Sequence, residues 1–490
     1  MLDSVNRAAS TGAETGRDAA GRTRQPAPSG PASTVTAGLG RRVEGSVWRA
    51  GDDGYDAECA VLTVDEAHRP AVVVGATGPA DVMAAVAFAT DHGMPVAVRA
   101  TGHGASLPAS GAVLVSTRRM QGVRVDPFAR VARVEAGVRC ARLVHEAAAF
   151  GLAPLAGSSP DVGSVAYTLG GGLGVLGRAH GYAADHVRSV DIVTAHGMLR
   201  HVTADQYADL FWAVRGGKGN FGVVTALEVD LFPVTTLYGG GLYFRGGAAA
   251  AVLHAYRRWV RTVPEEMSSS CALNRYPMTD DVPAPLRGRF AVHVRVAYCG
   301  SAADGERLVR PLRTAGVPIL DTVGELPFTD AGRIHDDPPL RTQTHERTAM
   351  LRELDEDAVD ALLDVVGPDA ACPLGFVELR HLGGALGRPP AVANAVGNRD
   401  AGFQLYVTGE APAGHGEPLG RYAELVTARM APWCTGGVAL NFLGGDGDTA
   451  AARVRAAYAP GDLRRLERVK RAYDPENLFC VNHNIPPVRY

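Results

Sequence analysis

The sequence predicts an α+β protein, and three features of the chain support this fold class. Residues 70–99 read as a strand, a helix with apolar residues at helical spacing and a second strand, which is typical of a β-α-β unit. From about residue 235 to about residue 437, strands alternate with helices, which favours a mixed or antiparallel sheet with helices on one face. Three glycine-bearing segments separate the regular elements of the N-terminal half.

Composition narrows the classes of partner. The chain has 490 residues, of which 46% are apolar and 21% charged, as in ordinary globular proteins. The net charge of −3 gives no electrostatic attraction to nucleic acid or to an anionic membrane surface, so a small-molecule partner is favoured. No window approaches the ~18 uninterrupted apolar residues of a spanning helix, and no export signal begins the chain, so we expect a cytoplasmic protein.

The cysteine pattern predicts neither a disulfide framework nor a metal site. The seven cysteines are scattered, odd in number and never in C-x-x-C spacing. We therefore expect buried thiols in a reducing compartment.

The N-terminal elements follow a leader that is predicted to be disordered, residues 1–42, because it is rich in Ala, Gly, Ser, Thr, Arg and Pro. Two helices are predicted after it, the first ended by Gly93 and the second closed by Gly151. A β-hairpin is predicted to turn at His196-Gly197, and a helix, a glycine loop and a strand follow it. The strands predicted before the hairpin are "PAVVVGA", "MPVAVRA", "GAVLVST" and "RVARVEAG".

The C-terminal half is predicted to alternate four strands with three helices before a final helix, "GDLRRLERVKRAYD". The tail "PENLFCVNHNIPP" is rich in Asn and Pro and is predicted to pack against a specific surface. The strands are "GGLYFRG", "RFAVHVRVAYCG", "LGFVELRHLGG" and "GFQLYVTG", and the helices are "AAAAVLHAYRRWVRTV", "EDAVDALLDVVG" and "PLGRYAELVTARMAPW".

Two glycine motifs resemble nucleotide-binding signatures without matching them fully. Gly172, Gly174 and Gly177 have dinucleotide-fingerprint spacing, with Asp191 downstream, but no clean buried strand precedes them. Gly217-Lys218 resembles the end of a P-loop but lacks the following Ser or Thr. Together, the loops "RATGHGAS", "GSSPDVGSVAYTLGGGLG" and "RGGKGNFGVV" favour close backbone approach to a large, flat, anionic ligand, although turns alone would explain any one of them.

The order of these motifs resembles the berberine bridge enzyme-like flavoproteins of the vanillyl-alcohol-oxidase class. The motifs are R-x-x-G-H-G, G-x-S-P-x-V-G, D-L-F-W-A-x-R-G-G-x-G-N-F-G-V-V-T and Y-D-P-E-N-x-F…N-x-N-I-P-P. The resemblance implies a PCMH-type FAD-binding domain of two α/β subdomains, plus a substrate domain with an antiparallel sheet covered by helices. The expected boundaries are 43–235 for the FAD domain, 236–440 for the substrate domain and 441–490 for a segment that returns to the FAD domain.

The resemblance implies FAD as cofactor, bonded through its 8α-methyl group to His103. Relatives often add a second bond from a cysteine, but Ser159 stands at that position and cannot form a thioether, so we expect a singly attached flavin. Val162 matches a position where the family associates valine with oxygen access. The residues expected to bind FAD are Arg99, Ala100, Thr101, Gly102, His103, Gly104, Ser159, Pro160, Val162, Gly163, Tyr167, Gly170, Gly172, Gly174, Gly222, Val223, Val224, Asn482 and Asn484.

The catalytic base is a second departure from the family. The usual tyrosine two residues before Asn441 is Ala439 here, and Cys480 replaces an arginine frequent in the tail. Alternation along the predicted strands places Glu378 and Arg380 on one face, and Gln404 and Tyr406 on one face. Tyr406 and Glu378 are the candidate bases, with Gln404 and Asn441 as further candidate catalytic residues; alternatively, Glu378 and Arg380 form a structural pair with another strand.

The predicted function is that of an FAD-linked oxidase. Its substrate would be a sugar, an alcohol or a secondary metabolite, whose hydride passes to flavin N5 before O₂ reoxidises the flavin and yields H₂O₂. Two alternatives stay open: a redox-neutral cyclase or isomerase that uses FAD as a wall, to which the missing tyrosine points, and a flavin-retaining binding protein without turnover.

Overall fold

A computed structural model describes residues 38–60, 69–104, 107–337, 343–411, 417–444 and 450–488. Most of the predicted leader lies outside the described residues. No helix in the described part of the chain combines the length and the apolar character needed to cross a bilayer.

The described strands, in chain order, form three sheets. They are β1 (Ser46–Trp48), β2 (Val72–Gly75), β3 (Val96–Arg99), β4 (Val113–Ser116), β5 (Val123–Asp126), β6 (Val131–Glu135), β7 (Val187–Val193), β8 (Leu199–Val202), β9 (Val223–Asp230), β10 (Thr236–Arg245), β11 (Met267–Arg275), β12 (Phe290–Tyr298), β13 (Pro318–Asp321), β14 (Gly324–Pro327), β15 (Gln343–Leu351), β16 (Phe376–His381) and β17 (Phe403–Ala411).

The α-helices of the described ranges lie mostly between these strands. They are α1 (Tyr55–Cys59), α2 (Pro79–Asp91), α3 (Cys140–Ala148), α4 (Ser164–Leu169), α5 (Gly177–His180), α6 (Ala208–Gly217), α7 (Ala249–Trp259), α8 (Ala302–Arg313), α9 (Glu356–Val366), α10 (Glu417–Arg429), α11 (Ala450–Ala456) and α12 (Pro460–Tyr473).

The first two sheets contain the strands that precede residue 231. One has the order β1-β2-β4-β3, with β2 and β3 each parallel to β4, so the predicted β-α-β unit is present with β4 between its strands. The other has the order β5-β6-β9-β7-β8 and is antiparallel throughout. The predicted hairpin is β7 and β8, joined through His196 and Gly197.

The third sheet is antiparallel, as the sequence predicts, and contains eight strands. Its order is β13-β10-β12-β11-β16-β17-β15, with β14 also paired to β10. Side chains alternate between its faces. Val377, Leu379, Leu405 and Val407 pack in an apolar core with α7, α8, α9 and α10. The intervening side chains of β16 and β17, among them Arg380 and Tyr406, therefore point away from those helices.

The C-terminal segment packs against the first two sheets. Leu466 and Val469 of α12 lie in one core with Phe211 of α6. Phe479 is buried beside β2 and β4, and the Leu478 carbonyl accepts a hydrogen bond from the Val96 amide at 2.9 Å. Residues after α12 are thereby held next to the loop that follows β3.

Candidate active site

A cavity of about 500 Å³ lies between the loop after β3, the segment around α4, the C-terminal residues 481–483 and the polar face of the third sheet. It brings together most of the residues predicted from the sequence. Those that line it are Arg99, Ala100, Thr101, Gly102, His103, Gly104, Ser159, Val162, Gly163, Tyr167, Gly222, Val224, Tyr406, Asn441 and Asn482.

Several predicted residues do not line this cavity. Gly170, Gly172 and Gln404 line a smaller neighbouring cavity, and Gly174 lines another. The Pro160 carbonyl accepts a hydrogen bond from the Ala141 amide at 2.9 Å, and Val223 is fully buried in the core of the first sheet. Asn484 has a buried Oδ1 without a partner in the described structure. The expected roles of Pro160 and Val223 therefore reduce to shaping the backbone nearby.

His103 lies in the loop that leaves β3 and is partly buried at the cavity wall. Gly102 precedes it with φ of 72°, a left-handed conformation that a side chain would strain, so the glycine lets the loop turn there. Burial lowers the pKa of His103, against the opposing influence of Asp337 and Asp161. The imidazole is therefore neutral at physiological pH, which leaves one ring nitrogen with a free lone pair.

The cavity fits a large flavin nucleotide on two observations. Its walls contain many glycines, which leave room for a flat ligand against the backbone. Three lining side chains, Tyr167, Thr408 and Asn482, each hold a buried oxygen with no hydrogen-bond partner within the described residues. Such atoms are costly to bury unless a ligand or water satisfies them. The residues present thus suit a ligand with polar edges and a flat face.

Tyr406 and Glu346 form a hydroxyl–carboxylate pair on the sheet side of the cavity. Both line the cavity, and they lie on the adjacent strands β17 and β15. Burial raises the pKa of Tyr406 well above its usual value, and Glu346, which accepts a hydrogen bond from its hydroxyl, contributes in the same direction. The Tyr406 ring contacts Phe442 edge-on, with ring centroids 5.2 Å apart. The hydroxyl therefore stays protonated and has a fixed direction.

Glu378 does not line the large cavity and is fully buried in an ion-pair network. It accepts hydrogen bonds from Arg295 Nη1 at 2.8 Å and from Arg380 Nε at 2.6 Å. Burial alone would raise the pKa of Glu378, but Arg380 and Arg295 outweigh burial and lower it to about 2. A carboxylate held so strongly ionised is a poor proton acceptor, so the geometry matches the structural pair with another strand and corrects the expectation of a base at Glu378.

Gln404 is also placed away from the cavity. It is fully buried, and its Nε2 donates a hydrogen bond to Thr348 Oγ1 at 3.3 Å. The alternation of β17 is as predicted, but Gln404 faces the smaller cavity beside Ala439 and Asn441. Its expected catalytic role stays a prediction, with Gln404 lining the adjoining cavity and not the large one.

Asn441 joins the C-terminal segment to the cofactor side of the cavity. Its Nδ2 donates a hydrogen bond to the Tyr167 carbonyl at 2.8 Å. A Cβ at Gly170 would lie 1.8 Å from Asn441 Oδ1, so Gly170 must lack a side chain for Asn441 to occupy this position. Gly170 thus gives Asn441 room to occupy the cavity wall.

Lys218 also lines the cavity, although the sequence analysis considered it only as part of an incomplete P-loop motif. Its φ of 52° and ψ of −146° lie in a region where side chains are strained. Its Nζ donates to the Leu440 carbonyl at 3.0 Å and contacts His483 Nδ1 at 3.2 Å. Burial lowers the pKa of Lys218 to about 8, against the opposing influence of Glu346. A glycine would adopt this backbone conformation without strain, but only the lysine places a cation at the cavity.

Other lining residues were not predicted, among them Glu346, Asp337, Phe376, Phe442 and His483. They come from four separate parts of the chain. No local pattern marks them: the antiparallel pairing of β15, β16 and β17 brings Glu346 and Phe376 together, and the other three residues come from segments outside these strands.

Two family models match the chain at the segments that build the cavity. A model described as "FAD binding domain" matches residues 70–203, which include His103. A model described as "Berberine and berberine like" matches residues 441–486, which include Asn441 and Asn482.

Characterised relatives match almost the whole chain. The (R)-6-hydroxynicotine oxidase of Paenarthrobacter nicotinovorans is 29% identical, over 91% of this chain and 97% of that protein. The glucooligosaccharide oxidase of Sarocladium strictum is 24% identical, over 89% of this chain and 91% of that protein. The crystal structure of 6-hydroxy-D-nicotine oxidase from Arthrobacter nicotinovorans has a TM-score of 0.77 and 25% identity, covering 91% of this chain and 98% of that one.

Proposed function

Because the chain belongs to the berberine bridge enzyme-like family of FAD-linked oxidoreductases, we propose that it is an oxidase of a small or medium organic substrate. The oxidised carbon would bear a hydroxyl or amine group, as in a sugar, an alcohol or a secondary metabolite. Relatives are named for substrates as different as a hydroxynicotine and a gluco-oligosaccharide, so the substrate class is a property of each protein's own cavity.

The observation that carries this proposal is a single cavity with two kinds of wall. One wall contains the His103 loop and the glycines of the FAD-binding domain, and the other contains the Tyr406–Glu346 pair on the third sheet. When bound, FAD supplies the hydride acceptor, and O₂ restores its oxidised form with release of H₂O₂. A substrate between the two walls would meet a hydride acceptor on one side and a proton acceptor on the other.

We propose that His103 holds the cofactor covalently and that Ser159 makes no second bond. The neutral imidazole and its place in the cavity wall support the first part. A serine hydroxyl cannot form a thioether, which supports the second part.

Proton transfer is assigned to the Tyr406–Glu346 pair. A free phenolate is unavailable because Tyr406 remains protonated at physiological pH. The Tyr406 oxygen can instead accept the substrate proton while its own proton passes along the existing hydrogen bond to Glu346. The ring contact with Phe442 holds the hydroxyl in place for this transfer.

Arg380 is a positioning residue on the same wall. Its Nε is bound to Glu378, and its Cζ lies 4.9 Å from the Phe442 ring centroid. Within the described residues its two Nη groups have no acceptor, and the side chain lines the cavity. The two Nη groups of Arg380 are therefore available to bind an oxygen of the substrate.

The test is a screen of metabolites for H₂O₂ release, followed by anaerobic stopped-flow mixing with each positive compound. Loss of the visible flavin absorbance on mixing, and its return with one H₂O₂ per turnover on aeration, is the expected result. Product formed without loss of absorbance would overturn the oxidase in favour of a redox-neutral cyclase. Tight binding with neither change would indicate a flavin-retaining binding protein.

A further inference from the structure

A second, smaller cavity opens beside the large one, between β11, β12, β16 and α5. It has a volume of about 40 Å³, room for roughly three water molecules or one small functional group. Ser158, Leu173 and Arg380 line both cavities, so the two adjoin. A group attached to a substrate in the large cavity can therefore reach the smaller one past Arg380.

The smaller cavity is lined by three guanidinium groups, from Arg178, Arg295 and Arg380. Two carboxylates face them: Glu378 bridges Arg295 and Arg380, and Asp337 lies 4.0 Å from Arg295. The imidazoles of His335 and His381 complete the charged and titratable lining. Burial lowers the pKa of His335 to about 4 and that of His381 to about 3, so both imidazoles are neutral at physiological pH. Three cations against two anions, with neutral imidazoles, leave one positive charge in excess among these groups. A further carboxylate, Glu265, attracts Arg178 but does not line the cavity and is itself paired with Arg388 at 2.6 Å.

Arg178 carries that excess charge. It is only 6% exposed, and it contacts two backbone carbonyls and one imidazole but no carboxylate among the described residues. Its Nε donates to the Met267 carbonyl at 2.9 Å, and its Nη1 donates to the Leu382 carbonyl. The Nη2 group has no acceptor in the part of the chain that the structure describes. A buried cation whose carboxylate neighbour Glu265 is already paired with Arg388 is costly, which points to an anionic occupant.

The unpaired polar atoms around the cavity are mainly donors. Arg178 Nη1 lies 3.1 Å from His381 Nε2 and can only donate, so His381 carries its proton on Nδ1. That Nδ1–H is buried without a partner in the described structure, as is the hydroxyl of Ser270. The Nη groups of Arg380 add further donors. A site with several free N–H and O–H groups and few free acceptors selects an acceptor-only group, the carboxylate being the commonest.

We propose that this cavity, between Arg178, Ser270, His381 and Arg380, binds a carboxylate of the substrate while the carbon to be oxidised lies in the large cavity. This inference rests on the proposed function, since it identifies the substrate of the same site as a carboxylic acid. The volume fits a planar carboxylate and is tight for a phosphate or sulfate group.

The test uses benzoate as the probe and benzamide as its neutral counterpart, added to the FAD-loaded protein. Binding is followed by calorimetry and by the change in the visible flavin spectrum. We expect benzoate to bind and benzamide to bind at least about 10-fold more weakly, because a charge-assisted bond contributes roughly 1.5–3 kcal/mol, or about 10- to 100-fold in affinity.

Two variants and a matched control separate binding from folding. Arg178→Gln removes the unpaired charge, and Ser270→Ala removes one donor with little effect on packing. Arg275→Gln is the control. Like Arg178, Arg275 donates hydrogen bonds to backbone carbonyls, those of Val366, Gly367 and Ala370, but it does not line the cavity. We expect about 10- to 100-fold weaker benzoate binding in Arg178→Gln, a smaller loss in Ser270→Ala and no change in Arg275→Gln.

Equal affinities for benzoate and benzamide, or unchanged benzoate binding in both cavity variants, would overturn the inference. Nitrate or chloride binding as tightly as benzoate would identify an inorganic-anion site and overturn the assignment to a substrate. Calorimetry requires no turnover, so failure of carboxylate binding is distinct from failure of the oxidase activity, which the H₂O₂ screen measures.

Discussion

At the residue scale, the proton transfer that we propose depends on a hydroxyl and a carboxylate from neighbouring strands. Tyr406→Phe removes the hydroxyl and keeps the ring against Phe442. We expect the rate of flavin reduction by substrate to fall by about 10²- to 10⁴-fold, the usual contribution of a positioned proton acceptor. Anaerobic stopped-flow absorbance measures this rate.

Tyr422→Phe is the control, since the Tyr422 hydroxyl donates to the Val365 carbonyl away from the cavity. An unchanged rate in Tyr406→Phe would remove Tyr406 from the mechanism.

In the proposed attachment, His103 holds the cofactor. His103→Ala is expected to yield protein that releases its yellow colour on acid precipitation, because no bond to the flavin remains. The wild type and the control His145→Ala, which alters an exposed histidine of α3, should keep the colour in the pellet. Mass spectrometry of the peptide containing residue 103 should show added FAD only in those two proteins. Colour kept in the His103→Ala pellet would identify a different attachment residue.

We propose that Val162 allows oxygen to reach the flavin. It lines the cavity, and Val162→Ile adds one methylene there. We expect reoxidation of the reduced protein by O₂ to slow by about tenfold, which corresponds to ~1.4 kcal/mol, while reduction by substrate is unchanged. Val165→Ile adds the same methylene elsewhere on the wall and should leave both rates near those of the wild type. Equal reoxidation rates in all three proteins would contradict the role of Val162.

How far the sequence predicts the site differs between its two walls. The cofactor loops, including His103, were predicted from contiguous motifs that resemble those of a flavoprotein family, and such motifs can be read from the sequence alone. Glu346 and Arg380 acquired their roles from the sheet register, which no local pattern contains. Lys218 was not predicted as a cavity residue, since its contacts there are with Leu440 and His483, which lie far from it in the sequence.

At the element scale, the third sheet is tied across its polar face by Glu378 and two arginines. Glu378→Gln leaves Arg295 and Arg380 buried without their counter-charge, and we expect a loss of about 3–5 kcal/mol in unfolding free energy at pH 7. The native pKa of Glu378 is lowered to about 2 from 4.5. The carboxylate therefore stabilises the fold fully above pH 4.5 and loses this effect as the pH falls towards 2.

The difference in urea-unfolding free energy between wild type and Glu378→Gln should accordingly shrink between pH 4.5 and pH 2. Glu265→Gln breaks the exposed pair with Arg388 and should cost less than about 1 kcal/mol. A difference that is the same at every pH would contradict the ionised, paired state of Glu378.

Elements with a clear period were predicted, and those without one were not. The strands β16 and β17 alternate apolar and polar residues and were found from the sequence. By contrast, β11 reads "MSSSCALNR" and β15 reads "QTHERTAML", and neither has a clear pattern. Their polar positions are explained by the cavities: Ser268–Ser270 line the smaller one and Glu346 the larger one.

At the whole-molecule scale, one cavity is shared by parts of the chain that fold into different sheets, so an occupant should stabilise them together. In His103→Ala protein, which binds FAD reversibly, we expect the Tm to rise with FAD concentration. At 100 times the Kd the gain in unfolding free energy is about 2.7 kcal/mol. Differential scanning calorimetry measures the shift, with ADP at the same concentrations as control. A Tm independent of FAD would contradict a shared binding cavity.

The walls of the large cavity include residues 99–104 and residues 481–483, which are separated by most of the chain. A contact between segments so far apart in the chain forms slowly, because the entropy of closing the intervening chain is lost before the contact is gained. Assembly of the pocket is therefore expected to be a late event in folding, after the separate sheets have formed.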